Sequence, residues 1–210
     1  MKRLALLGAS GHGKVVADTA LSSGWDTVEF FDDAWPQHQQ NGPWPVNGGS
    51  TELLKRRHEF QGVIVTIGDC GVRLEKHQAL QAAGAPMATV VHPAAVVSRH
   101  VLLGLGTVVM AGAVVNVDAV VGQAGIINTG ATVDHDCHLG DAVHICPGAH
   151  LSGHVQVGRG SWVGVGAAVK QGMVLGERVM VGAGAVVVQA VPDGFTVVGN
   201  PAMPMGTDKL

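Results

Sequence analysis

The chain has 210 residues, 31 of them glycine and few aromatic, with a formal charge of −3 at neutral pH. That balance, without any basic run to track phosphates, excludes a general nucleic-acid binder. Three cysteines with no CxxC pair fit a reducing compartment rather than a disulfide scaffold. No apolar stretch approaches a membrane span, so a soluble, cytoplasmic protein is expected.

Residues 3–7 read as a short buried strand, followed by Gly8-Ala9-Ser10-Gly11-His12-Gly13 and a helical pattern over 14–23. A second strand, 27–31, ends on Asp32-Asp33. A Pro/Gln/Gly-rich loop over 34–49 leads to a helix over 50–59. A third strand, 63–67, runs into Gly68-Asp69-Cys70-Gly71 and a helix over 72–83, and a last strand covers 87–91. Strands alternating with helices predict a small parallel α/β sheet, about half of a dinucleotide-binding fold. The glycine turn is where such a sheet meets an anion, because helix N-terminal amides point outward and glycine lets the backbone approach. Its spacing is G-x-x-G-x-G rather than G-x-G-x-x-G, which suits a mononucleotide or nucleotide-sugar better than a nicotinamide dinucleotide. Asp32 and Asp33 could accept hydrogen bonds from a ribose or base. The bare alternative is that these glycines only make a tight strand-to-helix turn.

From Val91 to Val187 every sixth residue is Val, Ile or Leu, without a break, and Gly104, Gly122, Gly140, Gly158 and Gly176 recur every eighteen. Three sixes make one turn of a three-sided coil, so this half is a hexapeptide-repeat parallel β-helix, expected over 89–210 after an α/β domain over 1–88. A narrow coil also accounts for abundant glycine and scarce aromatics. With the aliphatic residue as position one, position five is small through most of the coil (Ala113, Ala131, Cys137, Ala149), so positions one and five look inward. Cys137 is then a small core residue, since burial raises a thiol pKa. Cys146, at position two, is left open.

Five histidines fall between His135 and His154. Stacked neighbours are eighteen apart, and no two of these histidines are, so one subunit is not expected to gather them around an ion and no metal is expected. His135, at outward position three between Asp134 and Asp136, stands out. A carboxylate bonded to one ring nitrogen fixes the tautomer and raises the basicity of the other, which suits a general base; a solvated histidine between two acids is the alternative. The unbroken register leaves no long loop to enclose a substrate, so an active site on this wall must lie between subunits.

The motifs GASGHG (8–13), FDD (31–33), IGDCGVR (67–73), VVHPAAVVS (90–98), INTGATVDHDC within 126–141, and VVGNPA (197–202) span nearly the whole chain. Together they resemble the bacterial nucleotide-amino-sugar N-acetyltransferases of the bacillosamine and perosamine kind, with their sialic acid O-acetyltransferase relatives. The resemblance implies a left-handed coil, a homotrimer with intersubunit sites, and acetyl-CoA as donor to a nucleotide-sugar acceptor. It implies His135 as general base, held by Asp136, with Asn128 near the sugar. Ser10, Gly11 and His12 would meet the pyrophosphate, Asp32 and Asp33 the nucleoside, and Gly68 the same ligand. His144 and Gly153 would meet acetyl-CoA, with Val165 and Ala183 along its pantetheine arm and His144 a candidate oxyanion donor. Asp69-Cys70 departs from an Asn-rich pair common in relatives. The expected reaction is N-acetylation of a nucleotide-linked 4-amino-4,6-dideoxy sugar for surface glycans, UDP-linked first and GDP- or dTDP-linked as alternatives. Sugar O-acetylation is the second reading and a non-catalytic nucleotide-sugar-binding scaffold the third.

Overall fold

A computed structural model of the chain describes residues 1–205; residues 206–210, the end of the expected C-terminal tail, lie outside the described residues. The chain divides into two compact units, Met1–Pro93 and Ala94–Leu210.

In the first unit β1 (Arg3–Leu7) leads into α1 (Gly11–Ser22) and β2 (Thr27–Phe31). A small antiparallel hairpin, β3 (Gln40–Asn41) with β4 (Trp44–Pro45), interrupts the loop read over 34–49. Then follow α2 (Ser50–Arg56), continued by a short 3-10 turn, β5 (Gly62–Val65), α3 (Cys70–Ala82) and β6 (Val90–Val91). The sheet is parallel in the order β2-β1-β5. As the central strand, β1 is buried on both faces, which is why Leu4, Ala5, Leu6 and Leu7 run apolar without alternation. Beyond β5, Thr66 leaves the sheet and its hydroxyl donates to the Gly8 carbonyl at 2.7 Å, tying the third strand's end to the glycine turn.

The second unit is a parallel β-solenoid of roughly six turns, a left-handed β-helix. Its two-residue strands stack in three sheets. The first includes Val96–Val97, Val114–Val115, Thr132–Val133, His150–Leu151, Ala168–Val169 and Val186–Val187. The second runs from Leu102–Leu103 through His138–Leu139 to Val174–Leu175. The third contains Val108–Val109, Ile126–Ile127, His144–Ile145, Trp162–Val163 and Met180–Val181, and ends on Thr196–Val198 and Met203–Pro204. Registers step by eighteen residues throughout, as in Val133↔Leu151 and Ile127↔Ile145.

Inside, from Thr107 onward, the aliphatic ladder and most of the small residues just before each strand are buried, Cys137 among them. Two polar members of that row, Thr107 and Ser161, donate to the carbonyls of Gly122 and Gly176 at 2.9 and 2.8 Å, so no buried hydroxyl is wasted. The eighteen-residue glycines have a steric cause: a Cβ on Gly122 would lie 2.7 Å from the Asp141 nitrogen, and one on Gly140 2.7 Å from the Arg159 nitrogen, so successive coils could not close. Position four takes the left-handed backbone at every corner from Gly106 to Gly184, usually on glycine but also on Asp118, Asp136 and His154. The third sheet departs from expectation, since its outward residues Val108, Ile126 and His144 are buried as well.

Candidate active site

Around the glycine turn, two kinds of glycine separate. Gly8 has a φ of +116°, and a Cβ there would lie 2.8 Å from Ile67; a Cβ on Gly13 would collide with the Gly8 carbonyl. Those two glycines make the turn. Gly11 and Gly68 have nothing within 4 Å of a built Cβ and no left-handed φ, so packing within the chain does not require them. Ser10 is the N-cap of α1 without a side-chain cap bond, and its carbonyl accepts from Asn41 at 3.2 Å. His12 is pushed down to about 4 by burial, with the Arg73 charge adding, so it is a neutral ring at physiological pH.

Asp32 and Asp33 are already engaged by the chain. Asp32 accepts from the Ala9 and Ala34 amides at 2.7 and 2.9 Å, bracing the glycine turn. Asp33 accepts from the Ser50 amide and hydroxyl and from Lys76 at 2.7 Å. Although part-burial opposes it, those bonds hold the Asp33 carboxyl below its usual range. Asp69 caps α3 by accepting from Val72 at 2.8 Å. Arg73, which the sequence does not mark as buried, is fully enclosed and donates to the carbonyls of Ile67 and Gly68 at 2.9 and 2.7 Å. Gly68 is thereby held from below while its upper side stays open.

On the coil, the remaining candidates sort onto two different edges. Asn128, Val165 and Ala183 lie on the corner that follows the third sheet, with His144 on the strand entering it. The Asn128 amide donates to Nε2 of His144 at 3.1 Å, which puts the ring proton on Nδ1; the Asn128 oxygen accepts from the Thr129 amide at 2.8 Å. The His144 ring also packs against Trp162, tilted by 58° with centroids 4.1 Å apart. Val165 and Ala183 are exposed and one coil apart.

His135, Asp136 and Gly153 lie on the next corner, between the first and second sheets. His135 Nδ1 donates to Asp136 Oδ2 at 2.6 Å, while its backbone amide bonds Asp134 at 2.8 Å. Asn116 also donates to Asp134, at 2.8 Å. The Asp136 bond raises the His135 pKa above its ordinary value, with the two acids' charges adding. Gly153, one coil further on, sits under the ring.

Against the expectation from the eighteen-residue spacing, two of the five histidines meet within a single chain: His154 Nε2 lies 3.5 Å from Asp136 Oδ2, and its ring packs edge-on against His135 at 5.2 Å. The eighteen-residue rule, applied among histidines alone, misses this pair because Asp136 is the residue stacked on His154. His135 is simply its chain neighbour.

Several known proteins are similar. Residues 3–80 match the PglD N-terminal domain family. Over 110 residues the chain is 36% identical to UDP-N-acetylbacillosamine N-acetyltransferase of Bacillus subtilis (strain 168); the match spans 50% of this chain and about half the length of that protein. The acetyltransferase domain of PglB from Neisseria gonorrhoeae FA1090 is 42% identical with a TM-score of 0.92, covering 98% of this chain and 100% of that one. It has also been solved in complex with acetyl coenzyme A. PerB from Caulobacter crescentus, solved in complex with CoA and GDP-perosamine, is 37% identical with a TM-score of 0.93, covering 98% of each chain. A shared fold at that identity over essentially full length shows that the chain belongs to the left-handed β-helix family of bacterial nucleotide-amino-sugar acetyltransferases.

Proposed function

We propose that the chain transfers the acetyl group of acetyl-CoA to the amine of a nucleotide-linked 4-amino-4,6-dideoxy sugar, in the cytoplasm, for a surface glycan. His135 is the general base. Its Nδ1–H is held by Asp136 and its Nε2 is the free lone pair, and this bond carries the reading. As the amine attacks the thioester carbonyl, its proton passes to Nε2; the tetrahedral oxyanion collapses, the C–S bond breaks, and the departing sulfur takes up that proton, so that CoA leaves as the thiol and His135 is free again. His144, on the strand that enters the Asn128 corner, is the candidate donor to the oxyanion.

The acceptor's diphosphate is assigned to Ser10, Gly11 and Gly68, supported by the two glycines that the chain's own packing does not require. His12 contributes as a neutral donor. The carboxylates of Asp32 and Asp33 are bound within the chain, so they shape the nucleoside pocket in this reading before they touch the ligand. A UDP-linked sugar is favoured, following the bacillosamine relative; a GDP-linked one follows PerB.

The protein acts as a homotrimer. The residues assigned to the reaction sit on two separate edges of the solenoid, so an acetyl-CoA that touches Gly153 of one subunit and Val165 of another lies between neighbouring subunits. Val96 and Leu102, 65% and 66% exposed, are apolar surface that a neighbour would cover.

Incubation with acetyl-CoA and a panel of UDP-, dTDP- and GDP-linked 4-amino sugars tests the reading by thiol release. Turnover with one of them is expected. Release only with a sugar hydroxyl acceptor would reassign the enzyme to O-acetylation, and release with none would favour a binding scaffold.

A further inference from the structure

The cluster around Asp136 has a chemistry that acetyl transfer does not use. His135, Asp136 and His154 each present a ligand atom, and all three atoms lie within 4.8 Å of one another. The carboxylate oxygen is 2.6 Å from Nδ1 of His135 and 3.5 Å from Nε2 of His154. Ligand atoms around a tetrahedral Zn²⁺, at about 2.0–2.2 Å from the ion, stand roughly 3.3 Å apart. Small side-chain rotations bring the three atoms to that spacing.

The backbone holds both halves in place. Asp136 and His154 occupy the left-handed corner position on successive coils, with φ of 58° and 59°. The His154 amide donates to the His135 carbonyl at 3.0 Å, locking the two corners together. All three side chains are part-exposed, so solvent can complete the coordination. Two imidazoles and one carboxylate suit Zn²⁺, Ni²⁺ or Cu²⁺, whereas Mg²⁺ and Ca²⁺ need all-oxygen sets.

We propose that His135, Asp136 and His154 form a binding site for a divalent transition-metal ion, and that an ion held on Nδ1 of His135 blocks acetyl transfer because the ring's one proton then sits on Nε2, which can no longer accept the amine's. The site itself stands on geometry; the blocking step rests on His135 being the base.

The test uses the full chain, stripped with chelator and desalted. Calorimetric titration with ZnCl₂ is expected to show a tight site that Mg²⁺ does not fill. His154→Asn, chosen because asparagine tolerates a left-handed corner, should weaken it by more than the roughly 10–100-fold that loss of an outer-shell partner costs. Asp136→Asn should do the same, while His150→Asn, on the neighbouring face against Thr132, should not. Thermal melts check that each variant folds. Initial rates, read by mass spectrometry of the acetylated sugar because the CoA thiol itself binds zinc, should fall with Zn²⁺ and recover with EDTA. Unchanged zinc affinity in both His154→Asn and Asp136→Asn, or equal filling by Mg²⁺, would overturn the site. Zinc bound with full acetyl transfer would leave the site standing and overturn the block, placing the failure in the assignment of His135 as base.

Discussion

Gly153 is the floor on which the His135 imidazole rests: a Cβ there would stand 2.6 Å from both Cε1 and Nε2. Its φ is not left-handed, so the backbone does not demand glycine; the ring does. Gly153→Ala is expected to tilt the imidazole off its axis and lower kcat by roughly 10²-fold, the effect of about an ångström of misplacement. The melting temperature should barely move, because the ring can swing toward solvent. Steady-state kinetics beside a thermal melt checks both halves.

His135→Ala should cost about 10²–10⁴-fold in rate, the usual span for a general base. Asp136→Asn separates basicity from presence. The Asp136 bond raises the His135 pKa, and the base works only when unprotonated, so the acid limb of kcat/KM lies above the ordinary histidine value. Removing the charge moves that limb to lower pH. A pH–rate profile in chelator-treated buffer, with the same acceptor for both proteins, reads the shift; an unmoved limb would separate Asp136 from the base.

Gly11→Ala tests the diphosphate assignment without disturbing the fold. Nothing within the unit crowds a Cβ there, so stability should stay within about 0.5 kcal/mol of the parent. The KM for the nucleotide-sugar should rise while the KM for acetyl-CoA stays put. Gly13→Ala, by contrast, meets the Gly8 carbonyl and should destabilise the unit.

His12 gives a pH signature of folding. Its value falls from the ordinary 6.5 to about 4 in the folded chain, so below about 6.5 the unfolded chain takes up a proton that the folded one refuses. The stability linked to neutral His12 is therefore complete above about 6.5 and is lost as pH falls toward 4. Urea unfolding at pH 7 and pH 5 should show a smaller loss for His12→Gln than for the parent.

Gly140→Ala should destabilise the coil by about 1–3 kcal/mol through overpacking against the Arg159 backbone. Chemical denaturation measures it, and the parent's kinetics should persist at low temperature.

Much of this arrangement was legible from residue order because the coil turns order directly into place. Every sixth aliphatic residue goes inside, so Cys137 is buried and His135 outside by counting alone. His135 and Asp136 were readable as a pair because they are chain neighbours. His154 was not, because its partner across the coils is an aspartate rather than a histidine. In the α/β unit, β1 announces itself as an apolar run closed by glycine, and β2 by β-branched and aromatic residues closed by aspartate. The helices begin earlier than their apolar pattern, at Gly11 and Cys70, because their first turns carry glycine and, in the second, a buried arginine in place of an apolar period. Where a polar side chain ends up there depends on backbone groups that no pattern displays. Asp32 reaches the Ala9 amide, and Arg73 finds two carbonyls in the interior.

The stacked coils also set the lengths in which this protein can change. Successive strands in each sheet are about 4.8 Å apart, so Val165 and Ala183 mark one step along an edge. Eighteen added residues between them would lengthen that edge by one step and leave every corner where it was. Six would turn everything downstream onto the next edge, parting the assigned residues beyond the insertion from those before it. Insertions and deletions in this half of the chain are therefore tolerated in whole turns, and the reach available to a long, thin ligand comes in the same units.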